Sequence, residues 1–223
     1  MITVSPDWIT KIPEASVGLL ILKNAPNLPE HPELNNAKEE LERDLRSRFA
    51  DMDRKSLREQ PTMAAYDAFY RQFRKSYHVQ LQLESIVFKA KPIFSPSALV
   101  GCMFMAELKT GLLTAAHDFN MLQLPLLADI TEGGETYQRL DGSQQELKAG
   151  DLYIKDQQGI LSSVIYGPDQ RTQIQPGTSQ AAFTTYGPPG ISPAQIEEQL
   201  EILEDDVKIC SPDLERELLI VLP

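Results

Sequence analysis

Only three side chains in this sequence could act as acid or base near neutral pH without help from their surroundings: His31, His78 and His117. They are scattered, and none has a partner at metal-ligand spacing, so no metal site is expected. The signatures of other chemistries are missing too. There is no Gly-x-Ser-x-Gly elbow, no His-Glu-x-x-His pair, no phosphate loop and no dinucleotide fingerprint. No cofactor is expected. Cys102 and Cys210 stand far apart in the chain without a Cys-x-x-Cys neighbour, which predicts two small core residues. The pair His117-Asp118 is the exception. It ends an apolar approach, Leu112-Leu113-Thr114-Ala115-Ala116, in two adjacent polar groups. An imidazole there could polarise a carbonyl or hold a water. Equally, Asp118 could do no more than cap the turn into Phe119-Asn120-Met121-Leu122.

These two residues lie where the pattern of the chain changes. Upstream, Val17 to Leu22 is an apolar run of strand length, closed by Asn24 and Pro26. Leu34, Leu41, Leu45 and Phe49 then form one stripe of a helix. A second helix follows Pro61, with Met63, Tyr66, Phe69, Tyr70 and Phe73 on one face. That aromatic stripe, interleaved with Arg71, Arg74 and Lys75, could stack nucleic-acid bases, but it fits a core-facing helix surface better. A third helix is read with Ser95 as its N-cap, Pro96 in its first turn and Gly111 as its stop. Its apolar residues leave almost no polar face, so it should be central and buried. From about Thr114 the chain reads as short strands: Leu152 to Ile154, Ile160 to Tyr166 and Ala181 to Tyr186, with turns at Gly133-Gly134 and Asp141-Gly142. Ser192-Pro193-Ala194-Gln195 has the form of a capping box and opens an acidic helix to about Asp206. Ser211-Pro212 could start one more short element. Strands cluster instead of alternating with helices, which predicts an α+β fold.

Charge and length set the outer bounds. One domain spanning 1–223 is long enough to bury a core without disulfides or metal. No apolar run approaches the roughly 20 residues needed to span a bilayer, and the first residues resemble neither a signal nor a transit peptide. A cytoplasmic protein with no membrane partner is expected. The formal net charge of −11 argues against non-specific binding to polyanions, DNA included. The charge is uneven, however: residues 38–91 hold 12 Lys or Arg against 9 Asp or Glu, whereas residues 191–223 hold nine acids and two bases. Any contact with nucleic acid is therefore expected in the basic stretch, at residues such as Arg71, Arg74 and Lys75. The plainer alternative is a set of solvated helix faces with Glu partners one turn away.

An ordered set of motifs carries a family resemblance. The run Ala116-His117-Asp118-Phe119-Asn120-Met121-Leu122, then Gly134-Glu135-Thr136, Leu140-Asp141-Gly142 and Asp151-Leu152-Tyr153-Ile154-Lys155-Asp156, resembles the B3/B4 domain of the phenylalanyl-tRNA synthetase β chain. Ser95-Pro96-Ser97, the apolar helix behind it and Tyr70-Arg71 are similar to free-standing members of that family. Tyr166-Gly167-Pro168 and Thr178 match more loosely. The likeness spans roughly 60–190. It implies a three-layer fold with a β-sandwich of short strands and flanking helices. It also implies hydrolysis of a wrong amino acid from the 3′ end of tRNA, with tRNA as partner.

On that resemblance, His117 and Asp118 are the candidate catalytic residues, and Ala115, Tyr166, Gly167, Thr178 and Thr184 the candidate substrate-binding residues. Three features depart from the synthetase, one of them a Gly-rich turn that is reduced near Tyr166-Gly167. Ala115 stands where the synthetase has a His, and Thr184 falls near a Glu that helps recognise the amino acid. A hydroxyl in place of that carboxylate predicts a preference other than tyrosine. An activated ester needs little more than a held carbonyl and a placed water, so a strong triad is not required. The expected function is a deacylase acting in trans. The alternatives are a non-catalytic module that binds an amino-acid-like ligand, a tRNA end or a protein partner, and an enzyme of amino-acid or peptide metabolism built on the same pocket.

Overall fold

A computed structural model describes residues Met1–Pro223. The apolar run read from the sequence becomes β2 after two short elements: β1 (Ile2–Val4), α1 (Pro6–Lys11) and β2 (Ser16–Lys23). Five helices follow: α2 (Pro32–Arg48), α3 (Arg54–Arg58), α4 (Pro61–Arg71), α5 (His78–Lys89) and α6 (Ala98–Thr110). Strand β3 (Leu113–Asp118) leads through a short 3-10 turn at Phe119–Met121 to β4 (Leu126–Ile130), β5 (Thr136–Gln138), β6 (Gln144–Glu146), β7 (Leu152–Lys155), β8 (Ile160–Ser163), β9 (Gly167–Pro168) and β10 (Ala181–Gly187). Helix α7 (Pro193–Lys208) and β11 (Glu215–Leu222) complete the chain.

The strands form two principal sheets, ordered β1-β4-β7-β8-β9 and β11-β2-β10-β3, and β5 and β6 make a separate hairpin across Asp141-Gly142. The second sheet is antiparallel throughout, whereas β1 joins β4 in parallel. This is an α+β fold with open sheets and flanking helices. One continuous core joins the layers: Trp8, Leu20, Tyr66, Tyr77, Leu99, Phe183 and Leu203 belong to the same apolar cluster.

Two local details differ from the sequence reading. Ser97 and not Ser95 is the N-cap of α6, so Pro96 precedes the cap; Gly111, at φ +79°, ends the helix in the left-handed conformation as expected. Helix α5, not read from the sequence, buries Val79, Leu83 and Ile86 on one stripe and leaves Leu81 exposed on another side. Cys102 and Cys210 are buried, and the fold brings their sulfurs to 3.9 Å. No helix is long and apolar enough to cross a membrane.

Candidate functional site

Strand β3 forms one edge of its sheet, and the geometry of that edge defines the site. In an antiparallel ladder, alternate residues turn their N–H and C=O groups away from the paired strand. Here Thr114, Ala116 and Asp118 face outward. Asp118 N–H donates to Thr172 C=O at 2.7 Å, and Thr114 N–H donates to Glu107 Oε1 at 2.8 Å. Ala116 lies between them on the same edge. A cavity of about 450 Å³ runs along this edge, and Thr114, Ala115 and Ala116 form one of its walls.

The opposite walls come from distant parts of the chain. Helix α6 supplies Val100, Met103, Phe104 and Glu107, and α5 supplies His78 and Gln82. The turn from β8 into β9 supplies Ser163, Gly167 and Pro168. Gly167, at φ +81°, holds a backbone conformation that side-chain-bearing residues rarely adopt. Phe94 and Leu140, both largely exposed, also line the cavity. The lining is thus mostly apolar, with a few polar groups converging on it, as in sites for small organic molecules.

Glu107 is the most unusual of these groups. It is fully buried, its Oε1 is engaged by Thr114 N–H, and its Oε2 has no partner in the protein. Burial raises its pKa to about 8. The site therefore holds a largely protonated carboxyl at neutral pH.

His117 lies one layer behind the cavity. The ring is fully buried, and both nitrogens are occupied: Nδ1 sits 2.8 Å from Thr172 Oγ1, and Nε2 sits 3.3 Å from Ser162 Oγ. Thr172 spends its hydroxyl proton on Asp169, so it accepts from His117 Nδ1–H. Ser162 Oγ in turn lies 2.7 Å from the Tyr186 hydroxyl. A chain of polar contacts thus runs from Asp169 through Thr172, His117 and Ser162 to Tyr186, whose hydroxyl also donates to Ser162 C=O at 3.0 Å, and Tyr186 lines the cavity. Burial, with the nearby Arg171 guanidinium adding to it, lowers the imidazole to about 3 and keeps it neutral.

The other residues singled out from the sequence divide in two. Ala115 and Gly167 line the cavity. Asp118 and Thr178 meet each other instead: Thr178 donates to Asp118 Oδ2 at 2.6 Å, while Asp118 Oδ1 accepts Asn120 N–H and caps the turn. Thr184 is buried one strand further in, opposite Ala115, with its hydroxyl unpartnered. Tyr166 is half-buried beside Gly167, and the Lys75 ammonium lies 5.7 Å from its ring centre. Arg71 pairs with Asp67 at 2.6 Å, and Arg74 is exposed with φ +56°. Three groups of the site went unread in the sequence: His78, Glu107 and Tyr186. For Glu107 a signal was present, since it is the single acid in an otherwise apolar helix. No group of three or more His, Cys, Asp or Glu side chains is placed to hold a metal ion.

Fold and site together define an α+β fold with a mostly apolar cavity on an open sheet edge. No protein-family model and no curated protein matches the sequence. Among solved structures, the chain is similar to an N-terminal fragment of the phenylalanyl-tRNA synthetase β subunit from Pyrococcus horikoshii, with a TM-score of 0.50 at 10% identity. The match covers all of this chain and 54% of that one, so the chain spans about half the length of the fragment. At this identity the likeness establishes the fold.

Proposed function

We propose that the protein is an aminoacyl-tRNA deacylase acting in trans, with the cavity beside β3 receiving the aminoacyl end of the tRNA. The observation that carries this reading is the combination of an open strand edge and a buried, half-partnered carboxyl in one mostly apolar cavity. An aminoacyl ester offers three complementary features. Its α-amino group suits Glu107 Oε2, as the free amine or as the ammonium with the carboxyl proton given up on binding; its side chain suits the apolar walls, and its carbonyl oxygen suits an outward N–H such as that of Ala116. The cavity volume falls within the roughly 300–1,000 Å³ typical of small-molecule sites. The motif resemblance and the shared fold point to the same substrate class. In this reading His117 acts through Ser162 on Tyr186, Asp118 and Thr178 hold the turn that ends β3, and Arg74 and Lys75 meet the tRNA backbone.

The test is a panel of tRNAs charged with each amino acid, correct and mispaired, followed for loss of the ester. Hydrolysis of one or a few species above the spontaneous rate is expected. With an active substrate identified, His117→Ala should lower turnover at least about tenfold through loss of the chain to Tyr186, the protein staying folded by circular dichroism. A second reading, a non-catalytic module for an amino-acid-like ligand, is favoured by the engagement of both His117 nitrogens and by the net charge of −11. Silence across the panel, with saturable binding of an amino acid to the folded protein, would establish it instead.

A further inference from the structure

His78 opens α5, and its ring lies in the wall between the cavity and a neighbouring depression of about 370 Å³ lined by Leu81, Gln82 and Ile93. Its Nδ1 sits 3.1 Å from the Tyr70 hydroxyl oxygen. That hydroxyl has one proton, and it is donated to Val164 C=O at 2.7 Å. Toward His78, Tyr70 can therefore only accept, so the neutral imidazole carries its proton on Nδ1. Nε2 is left with its lone pair, and no protein hydrogen bond engages it. Tyr77 packs against the same ring at 5.7 Å and fixes its plane. His117 shows the contrast: its ring is sealed and bonded at both nitrogens, whereas His78 is only half-buried, lines the cavity and has one nitrogen without a protein partner.

We infer that His78 is the general base of this cavity, its Nε2 taking a proton from the water that attacks a carboxylic ester held along β3. The inference rests on the deacylase reading and adds the residue that performs the proton transfer. The water oxygen bonds to the ester carbonyl carbon, and its proton passes to Nε2, giving an imidazolium and an oxyanion. Collapse breaks the bond to the ribose oxygen, and the imidazolium returns the proton to that oxygen. The products are the free amino acid and the tRNA 3′ end, and the base is regenerated. Tyr70 is a positioning residue: it touches no reacting atom and sets which nitrogen is free. Burial lowers the His78 imidazole to about 4, so it stays unprotonated throughout the neutral range but is a weaker base than a free imidazole, and the oxyanion formed beside it must stabilise the imidazolium. The titratable groups around it are Tyr70 from α4, Tyr77 ahead of α5, Glu107 from α6 and Lys91 from the segment that follows α5.

Two measurements test this. The first is the same panel of charged tRNAs, run with wild type, His78→Gln and Tyr70→Phe. His78→Gln should lower kcat by about tenfold or more, with KM within about twofold, since general base catalysis typically contributes about 10²–10⁴ and a base of lowered pKa falls toward or below the low end. Tyr70→Phe should lower kcat less. Wild-type turnover that His78→Gln leaves within about threefold overturns the inference and spares the deacylase reading; silence of the wild type overturns both. The second is ¹⁵N nuclear magnetic resonance of the wild-type imidazoles, which needs no variant and no activity. A proton on Nδ1 of His78 at neutral pH is expected, and a proton on Nε2 would overturn the inference by itself.

Discussion

Burial raises the Glu107 carboxyl to about 8 from its ordinary 4.5, so the folded protein holds that proton more tightly than the unfolded chain does. The sign of the consequence follows from linkage. The contribution of this proton to stability is complete below pH 4.5 and is lost as pH rises through about 8. His117 works in the opposite direction: its contribution is present above 6.5 and is lost as pH falls through about 3. Glu107→Gln keeps an oxygen for Thr114 N–H and removes the titration. The variant should therefore gain thermal stability relative to wild type as pH is raised from 4.5 to 8, measured as the difference in Tm across that window. A difference that does not move with pH would mean that Glu107 is ionised in the folded protein, with a partner at Oε2. His117 and Glu107 thus carry different kinds of information. His117 was legible as a polar residue closing an apolar run, but its neighbours Thr172, Ser162 and Asp169 come from more than 40 residues away, and spacing along the chain says nothing of them.

At the scale of elements, what the sequence revealed was whatever depends on local pattern. The stripes of α2 and α4, the glycine stop of α6 and the capping box of α7 were all readable because each is decided within a few residues. Helix α5 was missed although Val79, Leu83 and Ile86 form a stripe, because exposed Leu81 and the apolar Val87 and Phe88 blur it. Strand β11 was read only as one more short element after Ser211-Pro212: it begins Glu215-Arg216-Glu217, and what makes it a strand is pairing with β2, far earlier in the chain. The cavity is non-local for the same reason, since α5, α6, β3, β9 and β10 all contribute. One close approach tests this arrangement. A side chain at Gly18 on β2 would place its Cβ 2.4 Å from Ile196 Cγ2 and 2.8 Å from Leu200 Cδ1, so α7 lies directly on that glycine. Gly18→Val should destabilise the fold by about 1–3 kcal/mol through overpacking. Ile196→Ala in the same chain should recover part of the loss in denaturant unfolding. Equal stability of Gly18→Val and wild type would place α7 elsewhere.

Across the whole molecule, a chain with net charge −11 must meet a polyanion through a small number of cations, if it meets one at all. The basic stretch supplies fewer than its count suggests. Arg46, Arg48, Lys55 and Arg71 pair with acids one turn away, and Arg54 pairs with Glu84. Arg74 and Lys75 make no such pair, and Lys75 lies beside Tyr166, the neighbour of a cavity residue. If the chain binds tRNA as proposed, these two are free to release counterions, whereas Arg71 is paired with Asp67. For single-stranded nucleic acid, each phosphate contact steepens the dependence of log K on log[salt] by about 0.7. Replacing both Arg74 and Lys75 by alanine should therefore flatten the salt dependence of tRNA binding by about 1.4, whereas Arg71→Ala should leave the slope nearly unchanged. The measurement is tRNA affinity between about 50 and 200 mM salt for the three proteins. Flattening by Arg71→Ala alone would move the contact to the α3–α4 groove, where Arg54, Lys55, Arg58 and Arg71 converge. Affinity of the wild type that does not change with salt would remove the tRNA backbone as a partner, and the cavity would then have to recognise its ligand without help from the rest of the nucleic acid.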